Sequence, residues 1–261
     1  MNRIEAKFKE LKKRHKKAFI AFITAGFPNL KTTEKLVLEF SRIGVDIIEL
    51  GVPFSDPMAD GPVIQDASQL ALKNNTNLDK ILSLVKRARQ KTEVPICLMT
   101  YYNPIFCFGE EKFARLAHDN GVDGVIVPDL PPEEGSSFIK STRKYGVDVI
   151  FFIAPTTSKQ RINYIAKAAR GFIYYVSLTG VTGARASLPK DLIANLKIIK
   201  KLTSKPVCVG FGVSAPGQVK QIQKVADGVI VGSAIVKKIK ENTGKSGLVK
   251  KIGNFVSSLK R

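Results

Sequence analysis

The stretch "IIELGVPFSDPMADGPVIQ", Ile47 to Gln65, sets a short apolar run against a loop rich in glycine, proline and aspartate. The run carries one carboxylate, Glu49, and the loop adds Asp56 and Asp60. A brief apolar run that stops at Gly51, Pro53 and Pro57 reads as a buried strand rather than a helix. Side chains alternate across a strand, so Glu49 shares a face with Ile47 and opposes Ile48 and Leu50. If Ile47 points into a core, Glu49 points there too.

The same plan recurs along the chain. Eight short runs are found: "AFIAFIT" from Ala18, "DIIEL" from Asp46, "PICLMT" from Pro95, "GVIVPD" from Gly124, "DVIFFI" from Asp148, "FIYYVS" from Phe172, "PVCVG" from Pro206 and "GVIVG" from Gly228. They are β-branched and aromatic with little polar alternation, as strands covered on both faces are. Between them lie amphipathic segments such as "TTEKLVLEFSRIG" and "LDKILSLVKRARQ", several closing on glycine as helix C-termini do. Strands alternating with helices, without a linker, predict one (β/α)8 barrel, a TIM barrel, over residues 1–261. An extra helix precedes the first strand, and "PVIQDASQLALKNN" supplies another after the second. An open doubly wound sheet is the alternative, but no GxGxxG follows the first strand.

Bulk properties narrow the function. No run of eighteen apolar residues is present, so no membrane-spanning helix is expected. The N-terminal segment "MNRIEAKFKELKKRHKKAF" lacks an apolar signal core, so a cytoplasmic protein is expected, with an organelle stroma the alternative if it is organelle-encoded. Cys97, Cys107 and Cys208 form no CxxC, and with only two histidines a metal site is not expected. The net charge of +20 admits two readings, a solvated lysine-rich surface or an anionic partner. The charge is spread over nearly every helix and no RNA-binding aromatic signature appears, which favours the first.

Active sites of such barrels lie at the C-terminal ends of the strands. Asp46 and Asp148 begin their strands and are expected to be structural. No strand run contains lysine or histidine, which argues against Schiff-base chemistry or an imidazole base on a strand. Glu49, Asp60, Asp129 and the tyrosines at 101, 102, 174 and 175 remain as proton-transfer groups. Apolar surroundings would raise the pKa of Glu49 and suit it to acid–base work. The alternative is a salt bridge to a neighbouring strand. For Asp60 the alternative is a turn or helix cap in "ADGP", and Asp56 in "SDP" fits a turn better still. Glycine turns follow the last three strands, "TGVTGA", "GFGVS" and "GSA". Main-chain amides at such turns, with a helix N-terminus behind them, can cradle a phosphate. These readings together describe a barrel enzyme with a carboxylate acid–base acting on a small phosphorylated substrate.

The motifs "FITAGFP", "IELGVPFSDPMADGPVIQ", "LMTYYNPIF", "GVDGVIVPDLPPEE", "YYVSLTGVTGAR", "GFGVS" and "GSAIV" resemble the tryptophan synthase alpha subunit family, collinearly from Arg3 to the C-terminal helix. The resemblance implies a lyase that cleaves indole-3-glycerol phosphate, by a retro-aldol step, to indole and glyceraldehyde 3-phosphate in tryptophan biosynthesis. It implies Glu49 as principal acid–base, Asp60 as acceptor for the ring N–H, and Tyr174 as the active-site tyrosine. It places phosphate on the main chain at Gly183, Gly212, Gly232 and Ser233. Phe22, Met99 and Phe211 would form the indole pocket, and Thr182 would ride a loop that closes on Asp60. It implies no cofactor in this chain and a pyridoxal-phosphate-containing β subunit as partner, in an α2β2 assembly. Pro53, Asp56, Asn103, Phe106 and Asp129 would face that partner, with "YNPIF" and "PDLPPEE" as exposed loops. A stand-alone lyase that needs no β subunit is the competing enzymatic reading.

Overall fold

The computed structural model describes residues 2–176, 191–210 and 212–260. Eight parallel strands close into a barrel in sequence order. They are β1 (Ala18–Thr24), β2 (Ile47–Gly51), β3 (Ile96–Met99), β4 (Gly124–Ile126), β5 (Asp148–Ile153), β6 (Ile173–Val176), β7 (Val207–Gly210) and β8 (Gly228–Val231). The described helices are α1 (Arg3–Lys13), α2 (Leu30–Arg42), α3 (Pro62–Lys73), α4 (Leu78–Arg89), α5 (Tyr102–Phe108), α6 (Glu110–Asp119), α7 (Ser136–Tyr145), α8 (Lys159–Ala168), α9 (Leu192–Leu202), α10 (Pro216–Gln223), α11 (Ser233–Asn242) and α12 (Leu248–Lys260). Each expected strand is present, as are the extra helices α1 and α3. Among the described residues no helix is long and apolar enough to cross a membrane.

Strand alternation produces two apolar layers. Ala18, Ile20, Ile47, Cys97, Ile126, Ile150, Tyr174, Cys208 and Ile230 fill the barrel interior. Ile48, Leu50, Leu98, Val125, Tyr175 and Val209 point outward and pack with the helices. Ile4, Phe8 and Leu11 of α1 join the inner layer at the strand N-termini. Helix α1 starts on Asn2, whose side chain accepts from the Ile4 N–H. It therefore closes the bottom of the barrel and leaves the other end for chemistry.

The bottom is held by one repeated device. An aspartate just before a strand accepts an N–H from the first or second residue of the preceding strand. Asp46 takes the Phe19 N–H at 2.8 Å, Asp123 that of Ile96 at 2.8 Å, and Asp227 that of Val207 at 3.1 Å. A parallel barrel staggers its strands, so each strand start has an N–H that a carboxylate can satisfy. The structural reading of Asp46 is therefore correct.

Two local expectations need correction. "YNPIF" is not a loop but most of α5. Its Pro104 falls in the first turn, where a missing N–H costs the helix nothing. The amphipathic segment "EEGSSFIKSTRKYG", Glu133 to Gly146, reads as a helix from its first residue, but the helix starts only at Ser136, because 132–134 form a turn ahead of it.

Candidate functional site

A pocket opens at the C-terminal mouth of the barrel. Phe22, Glu49, Asp60, Met99, Tyr174, Gly212, Gly232 and Ser233 line it. These eight were all singled out from the sequence, and they come from six strands, β1, β2, β3, β6, β7 and β8, and the turns that follow them. Ile64, Val213 and Ile230 complete the wall. Ile230 could have been found by strand parity, since it shares the inner layer with Ile20 and Ile47. Ile64 lies on the buried face of α3 with Ala67 and Ala71, where helical period marks it, and Val213 lies just past a turn, where period carries no information. Gly183, Thr182 and Phe211 lie outside the described residues. A larger open groove runs along the opposite end between α1 and the strand N-termini. Ion-paired side chains such as Arg3 and Asp123 line it, and none of the mouth carboxylates reaches it.

Glu49 sits in register between Phe22 of β1 and Cys97 of β3. It is 1 % exposed, and neither carboxylate oxygen has a hydrogen-bond partner among the described residues. A salt bridge for this residue is thereby excluded among the described residues. Burial pushes its pKa up to about 8, and the neighbouring Asp60 adds to the shift. An orphaned, buried carboxyl costs stability, so its presence here calls for a functional account.

Asp60 is held more firmly. The Tyr101 hydroxyl donates to its Oδ2 at 3.1 Å, and its carbonyl accepts from the Gln65 side chain at 2.8 Å. Burial raises its pKa to about 6, with the Tyr101 hydrogen bond working the other way. Tyr101 is the residue that reading the motifs missed in this role. It lies 41 positions from Asp60, and no local signal links the two.

Of the adjacent tyrosines, parity separates the roles. Tyr174 faces into the barrel, against the Phe152 ring at 4.7 Å between centroids. Burial and the nearby Glu49 and Asp60 charges drive its hydroxyl pKa far up. Tyr175 points into the helix layer. Gly210 lies directly under Tyr174, where a Cβ would overlap the phenol.

Phe22 is seated between two glycines in the same way. A Cβ on Gly51 would come 2.6 Å from its Cζ, and one on Gly232 would come 3.2 Å from its ring. Gly212 has φ +77°, a conformation that glycine adopts without strain. Gly232 is the N-cap of α11 and Ser233 its first residue, so the positive end of that helix faces the pocket.

Outside the pocket, Asp56 and Asn103 are exposed, and Phe106 is 66 % exposed on α5. Pro53 is instead buried within the chain. Asp129 is exposed, yet its carboxylate accepts from the Tyr102 N–H, at 2.9 and 3.2 Å to its two oxygens. It thus caps the N-terminus of α5 from the end of β4.

A closed barrel with a desolvated carboxylate pair at its mouth has the architecture of a barrel enzyme working by carboxylate acid–base chemistry. A family profile of the tryptophan synthase alpha chain matches residues 8–261. The alpha chain of Geotalea uraniireducens is 52 % identical over 260 residues, covering all of this chain and 97 % of that protein. That of Thermoanaerobacter sp. X514 is 45 % identical over 260 residues, with 100 % and 99 % covered. The crystal structure of tryptophan synthase subunit alpha from Legionella pneumophila superposes with a TM-score of 0.92 at 39 % identity, covering 99 % of this chain and 97 % of that one. The chain belongs to the tryptophan synthase alpha chain family.

Proposed function

We infer that this protein is a lyase that cleaves indole-3-glycerol phosphate to indole and glyceraldehyde 3-phosphate. The reading rests on one observation above all: the unpartnered, buried carboxyl of Glu49 beside Asp60 at the barrel mouth. Protonated Glu49 delivers its proton to the ring carbon that bears the side chain. The charge that appears at the ring nitrogen is met by ionised Asp60, which accepts the N–H. Glu49, now a carboxylate, takes the proton from the hydroxyl next to the ring. The carbon–carbon electron pair returns to the ring, the hydroxyl carbon becomes the aldehyde, and Glu49 ends protonated as it began. The two carboxyls need opposite charge states at the same pH, and their surroundings push their pKa values apart in that sense.

Phe22 and Met99 supply the apolar wall for the ring, with Phe211 the third member and Tyr174 closing the far side. Main chain at Gly212, Gly232 and Ser233, with Gly183, holds the phosphate at the start of α11. The partner is a tryptophan synthase β subunit carrying pyridoxal phosphate, in an α2β2 assembly in the cytoplasm. Asp56, Asn103 and Phe106 offer the exposed contact surface for it, with Pro53 and Asp129 supporting the loops behind.

Indole release from indole-3-glycerol phosphate, measured from pH 5 to 9.5 with and without a β subunit, tests this. We expect a bell-shaped kcat/KM with limbs set jointly by the pair, near the values of about 6 for Asp60 and about 8 for Glu49. Adding β should raise the rate. No indole at any pH, with or without β, would reject the reading.

The seat of Phe22 gives a further expectation. Gly51→Ala forces the phenyl ring off its position and into the ring pocket. Such overpacking costs roughly 1–3 kcal/mol, so KM should rise about tenfold or more while kcat changes less. An unchanged KM would show that Phe22 does not wall the substrate.

A further inference from the structure

We propose that Tyr101 is a positioning residue for the reaction: its hydroxyl pins the loop that carries Asp60 and fixes the direction in which that carboxylate faces. The inference rests on the lyase reading above. Its ground is a set of contacts that converge on one side chain.

Tyr101 is buried at the end of β3 and meets the β2–α3 loop at three points. Its ring packs against Phe54, with centroids 5.4 Å apart. Its hydroxyl oxygen accepts from the Ala59 N–H at 2.9 Å. The same hydroxyl donates to Asp60 Oδ2 at 3.1 Å. A phenol has one proton, and the Ala59 N–H occupies the acceptor side of the oxygen. The proton is therefore directed at the carboxylate. Tyr101 has a firm foundation of its own. It is the N-cap of α5, and the next N–H, that of Tyr102, is held by Asp129. The catalytic loop is thus fastened to the neighbouring strand rather than left to its own prolines.

Position and charge state are both set by this contact. Asp60 must be ionised to accept the ring N–H, and burial opposes that. The groups facing it include the carboxyl of Glu49 from β2 and the phenol of Tyr174 from β6, while Asp129 lies behind Tyr101. Burial is what opposes the charge on Asp60. The Tyr101 proton is the donor that favours it. Burial and the carboxylates raise the pKa of Tyr101 itself, so it remains a donor and does not serve as a base.

The test is the pH dependence of indole release for Tyr101→Phe, with wild type as the parallel control. The ring and its packing on Phe54 are retained, and only the hydroxyl is lost. We expect kcat to fall about tenfold, the worth of one hydrogen bond to a charged group, and the acid limb to move up by about half to one pH unit. Inhibition by glyceraldehyde 3-phosphate should not change, because the phosphate turns lie elsewhere in the pocket. Replacing Tyr101 by 3-fluorotyrosine, a stronger donor of nearly the same size, should move the acid limb down, and it serves equally if the phenylalanine variant does not fold. An active wild type with a superimposable Tyr101→Phe profile overturns the proposal. So does a lower kcat with an unmoved acid limb, which would make Tyr101 a packing residue only. An inactive wild type would instead strike at the lyase reading.

Discussion

Glu49→Gln abolishes indole release, by about a thousandfold or more, and leaves the affinity for glyceraldehyde 3-phosphate within about twofold. The amide keeps the shape and burial of the carboxyl but can neither give nor take the proton that the cleavage moves twice. The phosphate turns at Gly212 and Gly232 are on other strands and do not sense the change. The same substitution has a second consequence, for stability. The folded pKa of Glu49 is about 8 against an ordinary 4.5. Below pH 4.5 the group is neutral in both states and contributes no pH dependence. Between 4.5 and about 8 the unfolded chain is ionised while the folded protein holds its proton, so folding is opposed increasingly as pH rises. The penalty approaches a few kcal/mol at pH 8. Glutamine carries no such term. The melting temperature of Glu49→Gln relative to wild type should therefore climb from pH 5 to pH 8. A difference that stays flat over that window would mean that Glu49 is not held neutral by burial. Wild-type turnover in the variant would remove Glu49 from the mechanism.

This behaviour explains how much of the site could be read in advance. A parallel barrel buries its strands on both faces, so the runs stand out in the sequence, and strand parity alone sends Glu49 inward with Ile47. The topology then places the end of every strand at one mouth, so the residues after β1, β2, β3, β6, β7 and β8 had to converge. What stayed hidden depends on contacts between elements. Tyr101 meets Asp60 through the fold, with nothing in the motif to mark it. Asp123 and Asp227 look like ordinary turn aspartates until the stagger of the strands gives each an N–H to hold. Pro104 read as a loop marker because proline in the first turn of a helix looks no different from proline in a bend. Pro53, taken for a surface residue from its loop, is buried, and Asp129, though exposed, also holds the Tyr102 N–H.

The hidden framework at the barrel bottom carries the largest stability effect. Asp123 is buried and accepts from Ile96 N–H, from Arg89 Nη2 at 2.5 Å and from Arg3 Nη1 at 3.1 Å. Arg89 is nearly as buried and also donates to the carbonyls of Gly121 and Val94. Burial raises the Asp123 pKa despite the Arg89 charge, and burial likewise lowers that of Arg89. Desolvation therefore outweighs attraction, and the pair as a whole is a weak stabiliser. Breaking it is another matter. Asp123→Ala strands a buried guanidinium and the Ile96 N–H, which should cost about 3–5 kcal/mol. For a chain of this length that is a fall of roughly 10 °C in Tm. Arg89→Met alone should be similarly harmful, because it leaves the carboxylate unpaired. The double variant Asp123→Ala, Arg89→Met should cost clearly less than the two losses added, since neither charge is then left behind. Glu93→Ala is the control: its side chain is 78 % exposed against Arg3, and its loss should stay under about 1 kcal/mol. Indole release per folded molecule should be unchanged in all four, because the barrel interior separates this end from the mouth. Additive losses in the double variant would show that Asp123 acts through the Ile96 N–H and Arg3 instead of through Arg89.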